Sequence, residues 1–186
     1  TDRTLISPIR SESSVDSEPS FLPTSPTWAI PTGTQPENPM TLTKLNNDRF
    51  LPERGLRIMV QVPNSHAQRI VDAVLAEDTL KYGDYDSVTY RTTPGTQQFR
   101  SLGSGRNAAT EKVFEVPCVE LSFFISDDEV NAVQVLKAIY ASHPYEEPVV
   151  FVEPCLRTLH IRGLDEDNPS RFWNSNAEDW VPEEHR

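Results

Sequence analysis

The segment SHPYEEPVV at residues 142–150 combines residue types that can bind a metal or move a proton. The side chains of interest follow one another closely: His143, Tyr145, Glu146 and Glu147. Imidazole and carboxylate groups are both ligands of divalent metals. A stable site needs three or four converging ligands, however, and Pro144 breaks the helical spacing that would bring them together. The sequence therefore predicts no cofactor, and His143 and Glu147 are the candidate ligands if a divalent metal does bind.

Acid–base catalysis and a structural role are the alternatives for this segment. Glu146 and Glu147 are adjacent, so a strand would point them to opposite faces, which argues against a catalytic pair. In the structural alternative, His143 hydrogen-bonds free carbonyl groups at a helix end and Tyr145 packs its ring under the sheet. One glutamate then accepts hydrogen bonds from the backbone or an arginine, within the chain or across a subunit boundary. The candidate arginines are Arg91, Arg100 and Arg106.

The glycine-containing connection at residues 94–110 is the second place where chemistry is conceivable. Its backbone N–H groups and cationic side chains could hold an anion such as a nucleotide phosphate. The residues that could hold it are Gly95, Gly103, Gly105, Arg100, Arg106 and Asn107, and Thr96 and Phe99 are further ligand or interface candidates. Their spacing matches neither a phosphate loop nor a dinucleotide fingerprint, and a hairpin that is mobile or lies at an interface is the alternative. No nucleophile is placed beside a base, so the sequence predicts no catalytic residue and no enzyme.

Two strand–helix units position these residues. The β-rich runs at 55–63 and 113–125 are each followed by apolar residues at helical spacing. The first apolar stripe is Ala67, Ile70, Val71, Val74 and Leu75, and the second is Ala132, Val133, Leu136, Ile139 and Tyr140. Capping boxes, in which Gln or Glu follows Ser by three residues, are predicted at the start of both helices. The two pairs are Ser65 with Gln68 and Ser126 with Glu129.

The remaining strands follow from alternation and composition. Residues 83–93 alternate as a strand does, and residues 94–112 read as a long connection. Pro117 marks an edge position or a bulge in the run at 113–125. Residues 148–161 supply one or two further strands. The order β-α-β-β-α-β predicts an α+β, ferredoxin-like antiparallel sheet with two helices on one face.

Both faces of this sheet are apolar. Phe123 and Phe124 are adjacent and must point to opposite faces, and residues 149–152 form a continuous apolar run. Two helices cover one face only. The second face must therefore be covered by other subunits or by a tail, which predicts self-association.

The composition excludes several classes of function. The 186-residue chain has a formal charge of −11, and no segment is basic enough to neutralise a nucleic-acid backbone. No apolar run reaches the roughly 18–20 residues that span a bilayer. The chain begins at Thr1 rather than Met, which we interpret as processing or trimming. Two cysteines are too few for a disulfide framework, so a reducing compartment, cytoplasmic or nuclear, is expected.

Three segments differ in composition. Residues 1–50 are rich in Pro, Ser and Thr and are predicted to be disordered. Residues 51–164 form the predicted ferredoxin-like domain. Residues 165–186 form an acidic tail with three large aromatic residues, which we expect to fold back on the domain because large apolar side chains are costly to expose.

Four motifs occur in order along the domain: Gly-x-Tyr, Gly-Thr-x-x-Phe-Arg, an Asn in a variable loop, and His-Pro-Tyr-Glu-Glu after the second helix. The residues that carry them are Gly83, Tyr85, Gly95, Thr96, Phe99, Arg100, Asn107 and His143 to Glu147. This combination resembles the YqfO-type domain, a CutA-like module that is inserted in cyclohydrolase-like proteins with a dinuclear metal site and is also found alone. The match spans about residues 57–153.

The resemblance implies a CutA/PII-like domain, related in fold to CutA and to the PII signalling proteins, which commonly form trimers. It also implies that nucleotides would bind at the hairpin of residues 94–110. The larger proteins carry their metal ligands in flanking domains that the two tails do not match, so the hydrolase activity is not carried over. We therefore expect a non-enzymatic, homotrimeric assembly or regulatory module. The alternatives are a sensor of divalent metal or nucleotide, and a metal-dependent hydrolase.

Overall fold

A computed structural model describes residues 45, 47–164, 166–175 and 180–185. Most of the predicted disordered segment at residues 1–50 lies outside the described residues. Within these ranges the strands are β1 (Phe50–Val62), β2 (Tyr90–Arg91), β3 (Gly95–Phe99), β4 (Phe114–Ser126) and β5 (Val149–His160). The helices are α1 (Asn64–Leu75) and α2 (Glu129–Ser142), and short 3-10 turns lie at Phe172–Asn174 and Glu183–His185. None of these helices is long and apolar enough to cross a membrane.

The strands form one antiparallel sheet in the order β2-β4-β1-β5, and β3 also pairs with β4. Taken with the two crossover helices, this order is that of the ferredoxin-like fold, because β1 and β4, the two strands that each precede a helix, lie side by side in the centre. The predicted α+β fold is therefore confirmed. Pro117 pairs with Thr96 of β3 and lies outside the part of β4 that pairs with β1. Its missing N–H therefore interrupts no hydrogen bond between the central strands β1 and β4.

The hydrophobic core lies between the helices and one face of the sheet. Alternate residues of the two central strands point into it: Ile58, Val60, Val62, Val119, Leu121, Phe123 and Ile125. The helices contribute Ala67, Ile70, Val71 and Val74 from α1, and Ala132, Val135 and Ile139 from α2. The apolar side chains that recur every second residue in the strands and about every 3.6 residues in the helices thus pack together in one layer.

The predicted capping boxes are wrong at both helices. Pro63 occupies the N-cap of α1, so Ser65 is already inside the helix and cannot cap it. Its hydroxyl hydrogen-bonds the ring of His66 instead, and Gln68 donates to Asp72. Helix α2 begins later than predicted, with Asp128 as its N-cap, whose carboxylate accepts a hydrogen bond from the Asn131 N–H at 3.0 Å.

The predicted apolar stripe of α2 is partly wrong. Ala132 and Ile139 are buried and Leu136 is partly buried, as predicted, but Val133 and Tyr140 are exposed and Val135 takes their place in the core. Apolar residues lie on several sides of this helix, so spacing alone did not fix which side faces the sheet.

The prediction for residues 83–112 is also wrong in part. Of the expected 83–93 strand, Tyr90 and Arg91 form β2, and Thr92 also hydrogen-bonds Glu120 of β4. Leu80 and Ser87 take positive φ values of 50° and 56° and turn the chain before this strand. Gly83 takes φ 61° in the turn that brings Tyr82 to Tyr85. The supposed connection contains β3, which forms a hairpin with the first half of β4.

The second face of the sheet is not buried by the described residues. This face, the open face, consists of the alternate residues that point away from the helices: Arg57, Met59, Gln61, Glu120, Ser122, Phe124, Phe151 and Glu153. Phe151 is 47% exposed and Met59 and Phe124 are half-buried, whereas Ile58 on the other face is inaccessible.

In the acidic tail, Phe172 packs edge-on against Trp173 and Trp180.

Candidate functional site

The motif at His143–Glu147 joins α2 to β5, and local hydrogen bonds end the helix there. The Ser142 hydroxyl donates to the Ala138 carbonyl at 2.7 Å, and the His143 N–H donates to the Ile139 carbonyl at 2.9 Å. Pro144 has no N–H with which to continue the helix. The chain therefore turns at His143 and crosses toward the end of β1.

The His143 ring connects three parts of the chain. The imidazole is 8% exposed, and the Tyr145 N–H donates to its Nδ1 at 3.0 Å. Because Nδ1 accepts, the single proton of the neutral ring lies on Nε2, which donates to the Gln61 carbonyl of β1 at 3.0 Å. The sequence predicted that this ring would bond carbonyls at the helix end, but it bonds a carbonyl at the end of a strand.

The surroundings of His143 keep the ring neutral. Burial lowers the pKa of His143, the Gln61 carbonyl raises it in part, and the positive charges of Arg69 and His66 lower it further. With both nitrogens occupied, the ring could bind a metal only by losing one of these two hydrogen bonds.

Tyr145 packs beside the histidine. The two rings meet edge-on, with 5.1 Å between their centroids and 64° between their planes. Burial raises the pKa of the Tyr145 phenol, and nearby Cys118 raises it further, so the hydroxyl stays protonated at neutral pH. The sequence predicted that this ring packs under the sheet, and the ring contact that the structure shows is with His143.

Glu146 ties the motif to the loop between β3 and β4. Its Oε2 accepts a hydrogen bond from the Arg106 N–H at 2.9 Å. A Cβ on Gly105 would lie 3.0 Å from the same oxygen, so the glycine leaves room for the carboxylate. One glutamate thus accepts a backbone hydrogen bond, within the chain, while Glu147 is exposed.

The candidate residues of the 94–110 region do not form one site. Gly95 and Thr96 lie in the ladder opposite Cys118 and Pro117, and Phe99 faces Phe114 with 6.2 Å between ring centroids. Arg100, Arg106 and Asn107 lie in the loop that follows β3 and are exposed. The loop is held by Ser101, whose hydroxyl donates to the Asn107 carbonyl at 3.1 Å.

The three candidate arginines do not reach the glutamates with their guanidinium groups in any hydrogen bond found among the described residues. Arg91 donates to the Gln68 side chain at 3.3 Å. Arg106 contacts Glu146 through its backbone N–H alone. Of the two predicted kinds of partner, the backbone and an arginine side chain, Glu146 therefore has the backbone one.

No group of three or more His, Cys, Asp and Glu side chains that could hold a metal converges within the described ranges. Both cysteines are free thiols. Burial raises the pKa of Cys118, with a further contribution from the Glu120 carboxylate, and burial also raises the pKa of Cys155. Both thiols are therefore poor sources of the thiolate that binds metals.

A cleft of about 440 Å³, lined in part by Glu53, Phe124 and Arg157, was missed by the sequence analysis. Arg157 lies over the Phe124 ring at 3.9 Å and over the Tyr82 ring at 5.0 Å, and its Nε donates to Glu53 at 2.6 Å. Glu53 and Arg157 are 104 residues apart. Two residues so far apart in sequence form no local pattern. Only the register of β1 against β5, in which Glu53 lies opposite Arg157, could have indicated this ion pair.

The chain matches no family model and no curated protein. A Bacillus cereus protein related to NIF3 is similar in structure, with 25% sequence identity and a TM-score of 0.47. The similarity covers 56% of this chain and 26% of that protein, so the chain spans about a quarter of its length.

CutA proteins are similar over most of their own length. The periplasmic divalent cation tolerance protein CutA from Archaeoglobus fulgidus is 18% identical with a TM-score of 0.40, and the similarity covers 61% of this chain and 89% of that protein. CutA1 from Oryza sativa is 16% identical with a TM-score of 0.41, over 55% and 81%. The fold itself is assigned from the strand order, and the chain is similar to CutA proteins and to a NIF3-related protein.

Proposed function

We propose that the chain is a self-associating CutA/PII-like module that acts in assembly or regulation and catalyses no reaction. The observation that carries this proposal is the open face of the sheet. On this face Phe151 of β5 is about half exposed, and Met59 beside it on β1 is half-buried. A second copy of the chain is the proposed cover for this face.

The energetics favour such a cover. Fully burying a Phe, Val or Met side chain contributes about 1.5–3 kcal/mol. Met59, Phe124 and Phe151 lie on neighbouring strands, so one surface can bury all three at once. Sheets of this size normally pack on two layers or pair with another molecule.

The edge of the sheet supports the same proposal. Within the described residues β5 pairs only with β1, so one side of this 12-residue strand presents N–H and C=O groups to which no other strand is paired. Long edges with exposed apolar side chains are surfaces on which other strands add. Phe151 and Val152 are both exposed on this strand, which places apolar area and free backbone groups together.

The trimeric state rests on the motif resemblance, because CutA and PII proteins commonly form trimers. A sensor of divalent cation or nucleotide would use His143 to Glu147 or the 94–110 region. Both His143 nitrogens and the Arg106 N–H are already hydrogen-bonded, so such a ligand would first have to displace contacts within the chain. Assembly needs no such displacement and is the function we propose.

The proposal is tested by comparing two charge substitutions of the full chain by light scattering after gel filtration. Phe151→Glu places a charge among the apolar side chains of the open face and should reduce the mass toward that of the 21.0 kDa chain. Val130→Glu places the same charge on the outer side of α2, where Val130 is 73% exposed, and should leave the mass unchanged. Equal masses for both variants and the wild type would refute the role of the open face.

A further inference from the structure

We propose that His143 is a proton-operated latch, whose protonation releases residues 144–147 from the end of β1 and thereby frees the loop at Gly105 and Arg106. The latch is a conformational device of the single chain and does not depend on self-association. It is regulated by the acidity of the surroundings.

The latch is closed only when the ring is neutral with its proton on Nε2. In that form Nδ1 accepts from the Tyr145 N–H and Nε2 donates to the Gln61 carbonyl, each at 3.0 Å. The other neutral tautomer would place a proton between Nδ1 and the Tyr145 N–H and would leave Nε2 facing a carbonyl without a proton. Both hydrogen bonds therefore specify one form of the ring.

A second proton opens the latch because both ring nitrogens then donate. The Nε2–H bond to Gln61 can persist, but Nδ1–H faces the donating N–H of Tyr145. Two donors repel each other, and the Tyr145 N–H loses its acceptor in a partly buried position. The backbone at Tyr145 must move away from the ring to relieve this conflict.

The movement reaches the β3–β4 loop through one residue. Glu146 directly follows Tyr145, and its carboxylate holds the Arg106 N–H at 2.9 Å above Gly105. A shift of the backbone at Tyr145 carries this carboxylate with it. The loop also presents Leu102, which is 77% exposed, so its release changes the position of an apolar surface side chain.

The charged groups around the ring set the direction of the effect. Helix α1 contributes the positive charges of Arg69 and His66, the sheet contributes the Gln61 carbonyl, and the linking segment contributes the neutral Tyr145. Burial and the two cations disfavour the imidazolium, so the folded chain protonates at lower pH than an ordinary histidine. The latch is therefore closed at neutral pH and opens in more acidic solution.

The test is amide hydrogen exchange of the full chain, followed by NMR from neutral to acidic pH together with the ring nitrogen shifts of His143. After correction for the intrinsic pH dependence, the Tyr145 and Arg106 amides should exchange about tenfold faster once the ring is protonated, as expected for the loss of one hydrogen bond each. The His143 N–H, which bonds within α2, should keep its protection. Unchanged protection of Tyr145 across the His143 titration, or loss at Tyr145 with full protection at Arg106, would overturn the proposal.

Two variants separate the latch from general acid effects. His160→Gln removes an exposed histidine at the far end of β5 and should leave the transition unchanged. His143→Gln should abolish the pH dependence at both amides. If His143→Gln does not fold, the comparison of the wild type with His160→Gln still tests the proposal. Loss of the transition in His160→Gln would show that His160 causes it, which would overturn the role of His143.

Discussion

The two faces of the sheet differ although the same strands build them. Ile58 and Met59 are neighbours in β1 and have partners on the same two strands, yet Ile58 is inaccessible in the core and Met59 is half-buried on the open face. Within the described residues, the helices bury the first face along the central strands β1 and β4 and leave the second face without a covering helix. The first face therefore determines whether the chain folds, and we propose that the second determines whether it associates.

The largest expected effect separates the faces directly. Ile58→Ala removes a fully buried side chain and leaves a cavity, so the free energy of unfolding should fall by about 2–5 kcal/mol in urea denaturation. Met59→Ala on the open face should cost less than half of that and should instead weaken association. Equal losses of stability for the two variants would mean that the open face is already covered within one chain.

The second prediction concerns the close contact between Gly55 and the Phe124 ring on the open face. Phe124 lies across Gly55, where an added Cβ would come 2.2 Å from both the ring and the Ile125 carbonyl. Gly55→Ala should therefore lower the free energy of unfolding by about 1–3 kcal/mol, measured in the same denaturation experiment. Gly95→Ala is the matched control, because the nearest atom lies 4.0 Å from its added Cβ, and it should not destabilise.

The stability of the chain should depend on pH through His143, which lies where α2 is joined to β5. Since burial lowers the pKa of His143, the unfolded chain binds a proton at higher pH than the folded chain does. The contribution of His143 to stability should be constant above a pH of about 6.5, fall as the pH drops below that value, and level off once the folded chain is protonated at this ring too. Urea denaturation at a series of pH values should show this fall in the wild type and a weaker one in His143→Gln.

The smallest effect concerns the loop. Glu146→Ala removes the acceptor of the Arg106 N–H and should lower the free energy of unfolding by about 0.5–1 kcal/mol or less, because the bond is solvent-exposed. The exchange of the Arg106 amide is the more sensitive measurement and should accelerate. Glu147→Ala should leave it unchanged, and an equal acceleration in that variant would remove Glu146 from its assigned role.

The order of strands and helices could be predicted because apolar spacing repeats in two strand–helix units. The helix starts could not, since a Ser with Gln three residues later also occurs inside a helix, as Ser65 shows once Pro63 takes the cap. The orientation of α2 was also out of reach, because Val133 and Val135 compete for the core and only packing decides between them.

At the candidate site, the residue types were predictable but their partners were not. The ring of His143 bonds a carbonyl 82 residues away, and Glu146 bonds an N–H 40 residues away. Both contacts depend on how the two ends of the sheet are brought together. Both partners use a backbone group, the Gln61 carbonyl and the Arg106 N–H, which every residue other than proline also has. No pattern in the sequence therefore identifies these two residues as the partners.

The most direct test is the mass of the full chain in solution, measured by sedimentation velocity at nanomolar to micromolar concentrations. The account predicts a species of three times the 21.0 kDa chain mass that dissociates on dilution or on substitution of Phe151 by Glu. A single 21.0 kDa species throughout the micromolar range would contradict it.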